Sequence, residues 1–196
     1  MRSERRFQFS DANIRLDGTH AFLSPSSPHW LNYTDEKLIA RLRSVEAAAK
    51  GTRLHETAAR LIEDGLHLMI NDRNRNIAQY VNDAIDLGLH AEKLVFYSPN
   101  CFGTADAIGF DPDECFLRVH DLKTGISKTT EKQLYVYAGI FCHQYGYKPF
   151  DVIGELRIYQ GGRVRSFDID QQELSFVYDR IQEADRLIEL SRQGEE

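Results

Sequence analysis

The sequence lacks any long apolar run. No window of its 196 residues approaches 18 consecutive apolar side chains, about the length that a membrane-spanning helix needs. The segment 1–10 is charged and has no apolar core of the kind found in a secretory signal. Internal repeats and low-complexity tracts are also absent. These absences argue against a membrane span and a repeat architecture, and we expect a cytoplasmic protein.

Cysteines are few, and basic residues are outnumbered by acidic ones. The three cysteines, Cys101, Cys115 and Cys142, are odd in number and show no paired spacing, which argues against a disulfide framework and fits a reducing compartment. The formal net charge is -6 at pH 7. A chain of this charge has no overall attraction to a polyanion, so any nucleic-acid surface must be local.

The composition is that of a globular domain, with 42% hydrophobic and 11% aromatic residues. We expect one domain over 1–196, in which 1–34 is a less regular N-terminal extension. From Thr34 onward, apolar residues recur with helical spacing to about residue 62, which indicates two helices or one helix broken near Gly51. A further amphipathic helix ends before Gly88.

Strand patterns follow, and a glycine pair at Gly161 and Gly162 indicates a hairpin between the last two strands. The strand segments are 90–97, 103–110, 116–123, 152–159 and 163–167. Helical patterns occupy 130–145 and the C-terminal segment. This order predicts an α/β fold with a central mixed β-sheet flanked by α-helices.

Three consecutive predicted strands each carry an acid on an apolar-looking face, because side chains alternate across a strand. The sets are Glu92 with Leu94 and Phe96, Asp106 with Ile108 and Phe110, and Asp121 with Leu117, Val119 and Lys123. An ionised carboxylate is costly to bury without a partner, and one divalent cation satisfies several at once. Mg²⁺ and Mn²⁺ prefer such hard oxygen ligands, so the pattern predicts a metal site.

Lys123 lies two residues from Asp121 on the same predicted face. Its ammonium group could orient an attacking water or stabilise a pentavalent phosphate transition state beside the metal. An ion pair at the edge of a strand is the alternative, and the spacing alone favours that alternative.

Four short motifs, in order, resemble those of the PD-(D/E)XK nucleases, in particular the RecB-like branch. Segments 103–108 (GTADAI) and 121–125 (DLKTG) resemble its second and third motifs. Segment 51–55 (GTRLH) is similar to its first motif, a helix with a metal-facing histidine, and 133–137 (QLYVY) matches its Q-x-x-x-Y motif. The opening 23–27 with Trp30 and Leu31 is similar to the N-terminus of phage-encoded members.

The resemblance implies a restriction-endonuclease-like core and a set of site residues. It makes His55, Asp106 and Asp121 metal ligands, assisted by the backbone carbonyl of Leu122. Lys123 becomes the catalytic lysine, so that Asp106, Asp121 and Lys123 form the catalytic centre.

The resemblance also gives Gln133 and Tyr137 a role in contacting DNA or bracing the site, and these two residues share one helix face. Glu92 has no firm assignment and is a candidate supporting residue or ligand of a second ion. Lys128 and Lys132, together with Arg163 and Arg165, are candidates for a local positive track that contacts phosphates.

The function that the resemblance implies is that of a Mg²⁺- or Mn²⁺-dependent deoxyribonuclease with one or two ions, an exonuclease of recombination or repair. DNA would be its substrate, a recombination or single-strand annealing protein a candidate partner, and a bacterial cell or its phage the source. Two alternatives are a structure-specific endonuclease of the same superfamily and a catalytically silent nucleic-acid-binding partner subunit.

Some relatives carry four cysteines that bind an iron-sulfur cluster. Here Tyr33 stands near the first expected position, and no cysteine follows Cys142. We therefore expect no iron-sulfur cluster.

Overall fold

The computed structural model describes residues 22–23, 28–125 and 129–193. The chain divides into two units, Met1–Glu46 and Ala47–Glu196, and all strands lie in the second. Over the described residues the α-helices are α1 (Asp35–Glu63), α2 (Arg75–Asp86), α3 (Lys132–Tyr145) and α4 (Gln171–Gln193). The strands are β1 (His90–Ser98), β2 (Cys101–Asp111), β3 (Phe116–Lys123), β4 (Ile153–Gln160) and β5 (Arg163–Asp168). Short 3-10 helices occupy Pro28–Asn32 and Pro149–Asp151.

The strands form one five-stranded sheet in the order β1-β2-β3-β4-β5. Strands β3 and β4 are parallel, and the other neighbours are antiparallel. A parallel pair needs a long crossover connection, and α3 supplies it. The predicted α/β fold with a central mixed sheet flanked by helices is confirmed. No helix in the described part of the chain is long and apolar enough to span a membrane.

Helix α1 is continuous, so the predicted break near Gly51 is wrong. Gly51 is buried, and a Cβ atom at this position would lie 2.8 Å from the Oγ1 atom of Thr124. Glycine therefore serves here to let α1 approach the end of β3 closely, and the packing offsets its low helix propensity. The expected start of the helix is confirmed, because the Oγ1 atom of Thr34 accepts a hydrogen bond from the Lys37 amide at 3.3 Å.

The hairpin between β4 and β5 is confirmed. Gly161 and Gly162 have φ angles of 60° and 73°. Two consecutive left-handed residues are what a two-residue type I′ turn requires, and glycine adopts them without strain.

Each face of the sheet packs on its own apolar cluster. On one face, Val95, Leu117 and Val119 pack with residues of α3 and α4 such as Leu134 and Leu174. On the other face, the cluster joins α1 and α2 to the sheet through Ala58, Val81, Leu122 and Tyr159. The sheet lies between these two clusters, and its strands β1, β2 and β3 carry the acids of the candidate site, Glu92, Asp106 and Asp121.

The apolar face predicted for β1 is wrong. Leu94 and Phe96 are 53% and 43% exposed, whereas Val95 between them is 1% exposed. The physical reason lies at Glu92, whose φ of 46° interrupts the alternation of side chains along the strand. Ala91 therefore packs on the cluster of α1 and α2, whereas Val95 packs on that of α3.

A polar network lies between α2 and the sheet, on the same side of the sheet as Tyr159. The Tyr159 hydroxyl donates to the Oδ2 atom of Asp83 at 2.7 Å, and Arg157 pairs with Asp83 at 3.2 Å and with Glu155 at 2.8 Å. His120 is fully buried beside them. Contacts with His120 and Arg157 lower the pKa of Glu155 to about 2. The network ties α2 to β3 and β4 behind the candidate site.

Candidate metal centre

Three separate elements bring His55, Glu92 and Asp106 together. One ligand atom from each residue lies within 4.8 Å of the other two. The Nδ1 atom of His55 on α1 lies 3.3 Å from the Oδ1 atom of Asp106 on β2. The register of β1 and β2 puts Glu92 opposite Asp106, between the pairs Ala91↔Ala107 and Lys93↔Ala105. The site is thus assembled by tertiary structure from a helix and two strands.

The carboxylate of Asp106 is held in a fixed orientation. Its Oδ2 atom accepts a hydrogen bond from the backbone amide of Leu122 at 2.8 Å. This bond leaves the Oδ1 atom directed toward His55. The amide of Leu122 thus has a defined task, and a role for its carbonyl oxygen as a metal ligand stays a prediction.

Asp121 is the most buried acid of the site, with a side chain that is 4% exposed. Its Oδ1 atom accepts a hydrogen bond from the Nζ atom of Lys123 at 2.8 Å. Its Oδ2 atom is buried and has no hydrogen-bond partner among the described residues. An unsatisfied buried polar atom costs about 1–3 kcal/mol, and more if it is charged. A missing positive ligand would account for this oxygen.

The pKa values of the site residues indicate concentrated negative charge. Burial raises the pKa of Asp121, and Asp106 raises it further against the opposing hydrogen bond from Lys123. Burial, followed by the charge of Asp106, raises the pKa of Glu92. The hydrogen bond to Asp106 raises the pKa of His55 despite burial. The cluster therefore has the electrostatic character of a cation site.

Lys123 is held by a chain of hydrogen bonds that leads to α3. Its Nζ atom donates to the Oε1 atom of Gln133 at 2.9 Å, and the Nε2 atom of Gln133 donates to the hydroxyl of Tyr137 at 3.3 Å. That hydroxyl donates in turn to the carbonyl oxygen of Thr104 at 2.7 Å. A Cβ atom on Gly103 would lie 3.1 Å from the Tyr137 ring, so the glycine leaves room for it. Gln133 and Tyr137 are thus in a position to brace Lys123 beside Asp121.

The candidate phosphate-contacting residues differ in their surroundings. Lys132 is exposed at the first position of α3. Arg165 donates hydrogen bonds to the carbonyl oxygen and to the hydroxyl of Thr129, which gives it a structural task in the loop after β3. Lys128 lies outside the described residues, as do residues 24–27 of the phage-like opening.

Two residues contribute to the site although the sequence pattern gives little or no indication of their roles. Glu92 is a full member of the cluster rather than only a supporting residue, and its place depends on the unusual φ of 46°. The Nδ2 atom of Asn76 donates to the carbonyl oxygens of Lys123 and Tyr159, both at 3.2 Å. Asn76 thereby fixes the end of β3 from α2, a link that helical periodicity does not reveal.

Comparisons with protein-family models, with curated proteins and with solved structures find no match for this chain. The resemblance to RecB-like nucleases therefore rests on the four motifs in the sequence.

Proposed function

We propose that this chain is a metal-dependent nuclease that hydrolyses phosphodiester bonds in DNA, in the manner of an exonuclease of recombination or repair. The observation that carries the proposal is the convergence of His55, Glu92 and Asp106 beside Asp121, whose buried Oδ2 atom lacks a partner among the described residues. A structural ion pair between Asp121 and Lys123 would explain neither the histidine nor the other two acids.

The donor set fits a hard divalent ion such as Mg²⁺ or Mn²⁺. Three carboxylates and one imidazole dominate the site, and carboxylate oxygens are the ligands that these ions prefer. Ligand atoms at about 2.1 Å from one ion stand at most about 4.2 Å apart. The ligand atoms of His55, Glu92 and Asp106 already lie within 4.8 Å of one another and need only small side-chain movements to reach that spacing. When bound, such an ion supplies Lewis acidity toward water and a phosphate oxygen.

The residues of the chain supply the rest of the chemistry. The amide of Leu122 holds Asp106, and Gln133 holds the ammonium group of Lys123 beside Asp121. A positive charge fixed in this way can donate a hydrogen bond to the scissile phosphate and stabilise the charge that develops on it. The ammonium group of Lys123 needs little reorganisation during the reaction, because Asp121 and Gln133 already hold it in place.

Cleavage of end-labelled linear DNA with and without Mg²⁺ tests the proposal. We expect metal-dependent cleavage that is lost in Asp121→Asn and Lys123→Ala while DNA binding is retained. Asp179→Asn and Lys148→Ala change exposed residues outside the cluster and serve as matched controls. Cleavage by Asp121→Asn at the wild-type rate would show that the site assignment is wrong.

A further inference from the structure

A groove runs beside the metal centre. It has a volume of about 650 Å³ and lies between α1, the start of α2 and the end of β3. Lys50 and Gly51 line it from α1, Arg73 lies opposite, and Lys123 and Gly125 belong to the segment at the end of β3. We call it the α1–β3 groove.

The α1–β3 groove is basic in an acidic chain. The chain has 30 acidic residues and a formal net charge of -6, but none of the described residues that line this groove is Asp or Glu. Lys50 and Arg73 are exposed, and the described part of the chain offers neither side chain an ion pair. Exposed cations that have no ion-pair partner in this part of the chain contribute the local positive potential that an anionic ligand needs.

The walls of the groove are fixed, and part of the lining is bare backbone. Asn76 holds the start of α2 to the sheet, because it donates to the Lys123 carbonyl oxygen and its own Oδ1 atom accepts from the Gly162 amide at 3.3 Å. Apart from the chain neighbours, no atom of residues 28–125 or 129–193 lies within 4 Å of a Cβ atom built on Gly125 or Gly161. A ligand can therefore approach the main chain closely without reorganising the groove.

The groove is continuous with the metal centre. Leu122 and Lys123 belong to its lining, and the same two residues hold Asp106 and Asp121. On α1, Leu54 lines the groove immediately before His55. A chain-like anion whose scissile group sits beside Lys123 would thus extend into the groove.

We infer that the α1–β3 groove binds the phosphodiester backbone of the DNA strand adjacent to the bond that is cut, with Lys50 and Arg73 as its phosphate contacts. This inference rests on the proposed nuclease function and adds the path of the substrate. Binding in the groove is independent of base sequence, since the lining offers cations and backbone rather than a pattern for base edges.

The test measures DNA affinity against salt concentration by fluorescence anisotropy, in EDTA so that no cleavage occurs. Labelled single-stranded and duplex oligonucleotides are compared for the wild-type chain and for Lys50→Ala/Arg73→Ala. Each lost phosphate contact makes the slope of log K against log salt shallower by about 0.7 on single strands and about 0.9 on duplex. The double variant should therefore lose about 1.4 from the slope on single strands or about 1.8 on duplex. The form of DNA whose slope shows its full expected loss is the form that the groove binds.

The control is Lys148→Ala/Arg186→Ala, which removes the same charge from exposed positions outside the groove. We expect it to keep the wild-type slope, and we expect both double variants to keep the wild-type melting temperature and Mn²⁺ affinity. An unchanged slope in Lys50→Ala/Arg73→Ala, with normal wild-type binding, would overturn the groove assignment alone. Failure of the wild-type chain to bind either DNA would overturn this inference, and the proposed function falls with it only if Mg²⁺-dependent cleavage is also absent.

Discussion

Replacing Asp121 by Asn should stabilise the metal-free protein and remove its response to metal. The side chain is 4% exposed, its Oδ2 atom lacks a partner in the described residues, and burial, followed by the charge of Asp106, raises its pKa. Asn keeps the shape and an acceptor for Lys123 but removes a buried negative charge and its repulsion with Asp106, so we expect a gain of about 1 kcal/mol. In a domain of this size the gain corresponds to about 2–4 °C in melting temperature.

Metal should reverse this order. An ion that binds only the folded protein stabilises it by about 2.7 kcal/mol at a concentration one hundred times its Kd. The wild-type chain should gain this amount with Mn²⁺, and Asp121→Asn should gain little, because one acid of the centre has become neutral.

The assay is thermal unfolding of both proteins in EDTA and in a Mn²⁺ series, with Asp179→Asn as a matched control on the exposed surface of α4. The control should follow the wild-type chain in both conditions. The reasoning is refuted if Asp121→Asn melts below the wild type in EDTA, or if Mn²⁺ raises both melting temperatures equally.

Three further predictions concern the supporting structure. Tyr137→Phe removes the hydroxyl that accepts from Gln133 and donates to Thr104, so both neutral hydrogen bonds are lost from the chain that holds Lys123. We expect kcat to fall about fivefold with KM and Mn²⁺ affinity unchanged, and a change in KM alone would contradict a positioning role. Gly51→Ala should destabilise the protein by about 1–3 kcal/mol in urea unfolding, because the new Cβ atom meets Thr124, and Thr124→Ala should relieve part of the loss. The folded-state pKa of Glu155 is about 2, below its unfolded value, so its contribution to stability is complete above about pH 4.5 and is lost as the pH falls toward 2. Glu155→Gln should therefore reduce the dependence of the unfolding free energy on pH between about 4.5 and 2, measured by urea unfolding at a series of pH values.

The fold could be predicted largely from local patterns. Alternation along 116–123 gave β3 its bounds, and the glycine pair at 161–162 marked the last hairpin. These features depend on neighbours in the sequence, for which strand periodicity and turn chemistry carry the information. The continuity of α1 at Gly51 could not be predicted in this way, because it depends on close packing against Thr124, which follows the distant strand β3.

The candidate site could be predicted in part. Asp106, Asp121 and Lys123 stand out because charged residues on an apolar-looking strand face need a partner. Glu92 was harder to assign, because a positive φ inside a strand changes the direction of the side chain, and simple alternation does not predict such a residue. Asn76 carries no pattern at all, because its contacts to β3 and β4 exist only in the folded chain.

The most direct measurement of the central claim is anomalous diffraction from a crystal soaked with Mn²⁺. We expect a peak coordinated by carboxylate oxygens of Asp106 and Asp121, with His55 or Glu92 completing the ligand set, and we expect this peak to be missing from Asp121→Asn. A fully soaked wild-type crystal without density at these side chains, or with Mn²⁺ bound only elsewhere, would contradict the account.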